Sequence, residues 1–170
     1  ISVKGLCLTD LGEYDQAVIL FGEATLNEAN NPYNYMLRAN IIEKYLKQQE
    51  NANTIYERIV DMDNEQNDVK SLKGFALLAL KRNNQAKIWI ENILSTSTDN
   101  DGIINYYAAC LYSQLGDFDK ALECMKVSLQ KGYANYHDWT LNYDANINIA
   151  PLRENKRFQE LIMQYSLIFK

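Results

Sequence analysis

Apolar positions along this chain group into short helical faces that return at a fixed interval. Ala121, Cys124, Met125, Ser128 and Leu129 fall at i, i+3, i+4, i+7 and i+8, which is one side of a helix. The same face is written earlier by Ala17, Leu20, Phe21 and Ala24, by Ala52, Tyr56, Ile59 and Val60, and by Ala86, Ile90, Ile93 and Leu94. The leading alanines stand 35, 34 and 35 residues apart. A second ladder of small residues, Gly5, Ala39, Gly74 and Ala109, runs ahead of them at steps of 34, 35 and 35. Self-similarity at this interval predicts helical hairpins piled into an array. Small residues are needed where two helices cross closely, because a larger side chain there overpacks at a cost of about 1–3 kcal/mol.

Turn residues separate the two helices of each unit. Gly116 frees the backbone where a first helix stops, and Asp117 and Asp119 sit where a carboxylate can cap the next one. Gly12 with Glu13 repeats this in the first unit, and Lys81-Arg82-Asn83-Asn84 takes the place in the third. Ala39 and Ala52 are 13 residues apart where the other pairs are 12 apart, so one extra loop residue is expected within Lys47-Gln48-Gln49-Glu50.

The stretches Leu11-Gly12-Glu13-Tyr14-Asp15-Gln16-Ala17 and Leu115-Gly116-Asp117-Phe118-Asp119-Lys120-Ala121 resemble the tetratricopeptide repeat family. That resemblance implies an all-α fold, a right-handed superhelical solenoid of antiparallel helix pairs. Residues 1–170 are then a single array, with units at about 1–29, 33–63, 68–96 and 102–131 and a cap over 132–170. The second and third units lack the turn glycine. The first lacks the start of its first helix, and the chain begins at Ile1 rather than Met. Both fit an excised domain or mature product whose array continued upstream or was trimmed. Pentatricopeptide repeats share the period and read RNA, but the acidic charge and the Gly-Asp-Phe turn favour the first family.

After Gly132 the pattern changes to Tyr133-Ala134-Asn135-Tyr136-His137-Asp138-Trp139, then Leu152-Arg153 and Arg157-Phe158 before a last helix. This is similar to the closing segment of bacterial tetratricopeptide proteins. A solenoid needs such a cap to keep its last apolar face from water. Phe158, Leu161, Ile162 and Tyr165 are expected to cover the fourth unit.

Composition narrows the function. The net charge of −5 argues against nucleic acid, which calls for clustered Lys and Arg. No run of about 18 apolar residues would insert in a membrane. Cys7, Cys110 and Cys124, odd in number and without CxxC spacing, read as buried thiols, with a Cys110–Cys124 pair open under oxidation. The single histidine, His137, has no nucleophile or metal partner in a recognisable motif and reads as structural or surface. Asp99-Asn100-Asp101-Gly102 resembles the start of a calcium loop. The first ligand place would be Ser97 and the closing glutamate place is Ala108, so helix capping explains the acids better. No enzyme activity, cofactor or metal is expected.

The resemblance implies that first helices line a concave groove. It places Tyr33, Met36, Asn40, Ser71, Phe75, Tyr106, Cys110 and Gln114 there, with Glu43 and Lys44 beside them. The family's carboxylate clamp is not matched: its lysine places are Ser2 and Met36 and its arginine place is Tyr107, leaving Asn40 alone. The expected function is non-covalent binding of a peptide segment or partner protein, apolar or amphipathic. The alternative is a structural or self-association scaffold, in which copies form a homo-oligomer, or a regulatory module of a larger bacterial protein. Enclosure of a small ligand is a third reading.

Overall fold

The computed structural model describes residues 2–62, 67–133, 135, 139 and 148–166, the side chains of residues 2 and 67–71 excepted. Among the described residues every regular element is helical. The chain divides into two compact units, Ile1–Arg82 and Asn83–Lys170.

In the first unit α1 (Ser2–Asp10), α2 (Tyr14–Asn27), α3 (Pro32–Lys44), α4 (Gln49–Asp61) and α5 (Asn67–Ala79) each pack on the next, and α3 lies beside α5. Pro32 opens α3, where its missing N–H costs nothing, and the Asn31 side chain accepts from Tyr33 N at 3.0 Å. Ala17, Phe21, Leu37 and Ile41 form one core cluster across α2 and α3, with Leu8, Tyr14 and Val18 against it.

In the second unit α6 (Asn83–Thr96) packs on α7 (Ile103–Gln114) and α7 on α8 (Phe118–Gln130). A 3-10 turn, Ala150–Leu152, lies on α7, and α9 (Lys156–Gln164) lies on α8. Asp99 starts α7: its carboxylate accepts from Ile104 N and Asn105 N, each at 3.2 Å, and from the Asn105 side chain. Asp101 accepts from Ile103 N at 3.2 Å. Both acids of the calcium-like stretch are therefore helix caps.

All four ladder alanines, Ala17, Ala52, Ala86 and Ala121, are wholly buried, and Gly5, Ala39, Gly74 and Ala109 are buried as well. The turns carry a third ladder that glycine content conceals. Gly12, Lys47, Lys81 and Gly116 all have φ between 57° and 81°, and they recur at 35, 34 and 35 residues. In three of them the residue after the left-handed one donates back five positions: Glu13 N to Leu8 O at 2.8 Å, Arg82 N to Leu77 O at 2.8 Å, Asp117 N to Tyr112 O at 2.9 Å. In the second, Gln48 N reaches six positions back to Ile42 O at 3.1 Å. The extra residue thus precedes Lys47, within Tyr45–Leu46–Lys47–Gln48, and Gln49 and Glu50 already belong to α4.

Two expectations are corrected or refined. Cys7 is exposed, because it lies on the side of α1 away from α2, whereas Cys110 and Cys124 are buried free thiols. Phe158 is buried beneath α9 while Leu161, Ile162 and Tyr165 are half-buried, and the tail instead adds Trp139, Ile149 and Leu152 to the core. His137 lies outside the described residues.

Candidate functional site

The eight residues expected in a groove fall into different surroundings. On α3, Tyr33 is 41% exposed, while Met36 and Asn40 are buried. On α5, Phe75 is buried, and the Ser71 side chain lies outside the described residues. On α7, Tyr106 and Cys110 are buried and Gln114 is half-buried.

Two local networks explain this. In the first unit the Tyr56 hydroxyl donates to Glu43 Oε2 at 2.7 Å and also reaches Asn40 Oδ1 at 3.2 Å. Tyr56 stands where the other units have Phe21, Ile90 and Met125, so at this position it alone carries a hydroxyl. Glu43 is half-buried above it, and Lys44 is exposed with its ammonium 5.1 Å from the Tyr45 ring centre. Tyr45 in turn stacks on Tyr14, with centroids 4.2 Å apart and planes 10° from parallel. The exposed rim of α3 is thus Tyr33 at one end and Lys44 at the other, with a polar pair between.

In the second unit the corresponding side of α7 carries part of the chain's own tail. Tyr106 meets Trp139 edge-on at 4.8 Å and stacks on Tyr133 at 5.0 Å. Trp139 Nε1 donates to the Tyr133 carbonyl at 3.1 Å. Gln114 Nε2 donates to the main-chain carbonyl of Asn148 at 3.4 Å. Sequence spacing missed these covering residues, which come some thirty positions later and are joined to α7 only by packing.

Charge in this unit serves to tie helices together. Lys120 on α8 donates to Glu91 on α6 at 2.6 Å, and that bond, outweighing some desolvation, holds the Glu91 carboxyl below its ordinary value. Burial first, and Glu91 second, push the Tyr112 phenol above its usual range. Burial, with Glu123 adding, pushes the Cys124 thiol up to about 12, so it stays protonated and unreactive near neutrality. Among the described residues no group of three or more His, Cys, Asp or Glu is placed to hold a metal, and no helix is long and apolar enough to cross a membrane.

Residues 104–129 match the family model described as tetratricopeptide repeat. No curated protein and no solved structure matches the chain. Repeats of this family are typically non-catalytic and generally mediate protein–protein interaction. The matched span is the α7/α8 hairpin, which is similar to a tetratricopeptide repeat, and its small crossing residue and left-handed turn recur in α1/α2 and α3/α4.

Proposed function

We propose that this chain is a non-catalytic binding module that takes a peptide segment of a partner protein along α3 in the Ile1–Arg82 unit. One observation carries the reading. At α7 the first-helix positions already hold polypeptide: Tyr106 packs on Trp139, and Gln114 bonds a main-chain carbonyl. Thirty-five residues and its multiples relate the units, and Met36 and Lys44 stand on α3 where Tyr106 and Gln114 stand on α7. The rim of α3 keeps Tyr33 and Lys44 exposed. An aromatic ring and a cation flanking a polar pair suit an amphipathic peptide. The ring supplies buried area and the ammonium takes a carbonyl or carboxylate. Met36, Asn40 and Phe75 are buried beneath the rim and keep it preformed, so a peptide would bind by shape, with its apolar part on the Tyr33 ring.

The test is a peptide selected from a random 16-residue display library on the immobilised chain, then titrated by calorimetry. Tyr33→Ala and Lys44→Glu are each expected to weaken it about tenfold, or about 1.4 kcal/mol. Undiminished affinity in both folded variants would overturn the reading.

A further inference from the structure

We propose that the outer side of α2 docks one amphipathic helix of a partner protein, which sets a carboxylate against Arg38 between two apolar side chains. Ile19, Gly22 and Leu26 stand at i, i+3 and i+7 on α2, which is one stripe of the helix. Ile19 is 63% exposed and Leu26 83%. The repeat shows what these three places otherwise hold. They correspond to Thr54, Glu57 and Asp61 on α4, to Ile88, Glu91 and Ser95 on α6, and to Glu123, Lys126 and Gln130 on α8. The two outer places are exposed on all four helices, so this side of a second helix stays open even where another hairpin precedes it in the chain. Singly exposed apolar residues are ordinary. Only α2 fills both outer places with large apolar side chains, and it puts a glycine between them.

The middle place decides the charge of the occupant. Arg82, after α5, donates from Nη1 to Glu57 Oε2 at 3.0 Å, and Lys120 on α8 donates to Glu91 at 2.6 Å. Each acid thus meets a cation from further along the chain. On α2 the acid is replaced by Gly22 while the cation remains. Arg38 of α3 lies across the glycine, its Cζ 3.4 Å and both Nη atoms 3.6 Å from the point where a β-carbon would sit. Arg38 makes no ion pair among the described residues, and its buried Nε has no hydrogen-bond partner there. A half-buried guanidinium set between Ile19 and Leu26 is short of a carboxylate, and its fork of donors matches the two carboxylate oxygens. The complementary edge reads apolar, Asp or Glu, apolar at i, i+4 and i+7, which is one side of a helix. This surface shares no residue with the peptide rim on α3.

The experiment displays a helical peptide library, randomised only at i, i+4 and i+7 on an Ala/Gln/Lys scaffold, against the immobilised Tyr33→Ala, Lys44→Glu chain, in which the α3 rim is disabled. The expected consensus is apolar, Asp or Glu, apolar. The selected peptide is expected to bind the parent chain equally well. Arg38→Gln is expected to weaken it about tenfold or more. Because Arg38 packs on Gly22, a second variant avoids any loss of fold: Ile19→Ser with Leu26→Ser changes exposed side chains only, and the same weakening is expected at an unchanged melting temperature. Exchanging the peptide's acid for Gln is expected to cost about tenfold on the parent chain and nothing further on Arg38→Gln. No consensus, a consensus without the acid, or undiminished affinity in either folded variant would overturn the proposal. So would a dimer of the parent chain, seen by light scattering and dissolved by Ile19→Ser with Leu26→Ser, which assigns the surface to a second copy.

Discussion

Phe21 Cζ lies 2.6 Å from the point where a β-carbon on Gly5 would sit. The ring is wholly buried. Two effects of Gly5→Ala therefore oppose each other. Alanine in a helix gains about 1 kcal/mol over glycine, and the clash costs about 1–3 kcal/mol. Net destabilisation is expected in the parent chain by denaturant melts. In a Phe21→Leu background, where the ring is gone, the same change is expected to stabilise. The same sign in both backgrounds would show that the crossing is not as close as described.

Lys47 and Lys81 hold the left-handed turn positions that Gly12 and Gly116 fill elsewhere. A non-glycine residue there costs about 1–2 kcal/mol, of which glycine's looser unfolded chain returns about 0.4–1 kcal/mol. Lys47→Gly and Lys81→Gly are each expected to raise stability by about 0.5–1 kcal/mol. Equilibrium unfolding checks this, with Lys44→Gly, inside α3, falling in the opposite direction.

Asp99 caps α7 and pairs with Lys131 at 3.2 Å, with only 5% of its side chain exposed. Burial pushes its carboxyl up, but hydrogen bonds from Asn105, from the Ile104 and Asn105 N–H groups and from Lys131 together bring it below its ordinary value. A lowered folded value means the stability is complete above the ordinary aspartate range and is lost as pH falls through the lowered one. Asp99→Asn is expected to cost about 1–2 kcal/mol at neutral pH. That gap should close as acid protonates the parent. A gap that stays constant down to acid pH would remove the charge from the account.

Phe158 is the buried ring of α9, which packs on α8. Phe158→Ala is expected to cost about 3–5 kcal/mol. An unchanged melting temperature would show that α9 does not close the fourth unit.

The helical hairpins were legible because close crossings select for size, and Ala17, Ala52, Ala86 and Ala121 are small, buried and repeat at one interval. The left-handed turns were half legible, since Gly12 and Gly116 announce themselves while Lys47 and Lys81 do not. Cys7 was misjudged because residue type and cysteine count do not say which side of α1 meets α2, and it stands on the other side, exposed. The candidate groove was least legible. Methionine and aromatic side chains on a first helix serve equally as lining or as core, and Met36, Phe75 and Tyr106 are buried in this structure. What covers Tyr106 is Trp139, and no local pattern links residues so far apart.

The most direct test of the binding account is photocrosslinking with the display-selected peptide. With Tyr33 replaced by p-benzoylphenylalanine, the peptide is expected to be captured on α3. With Ile19, exposed on α2 of the same unit, replaced instead, no capture is expected. Capture at Ile19 and not at Tyr33, with the peptide still bound, would contradict the account.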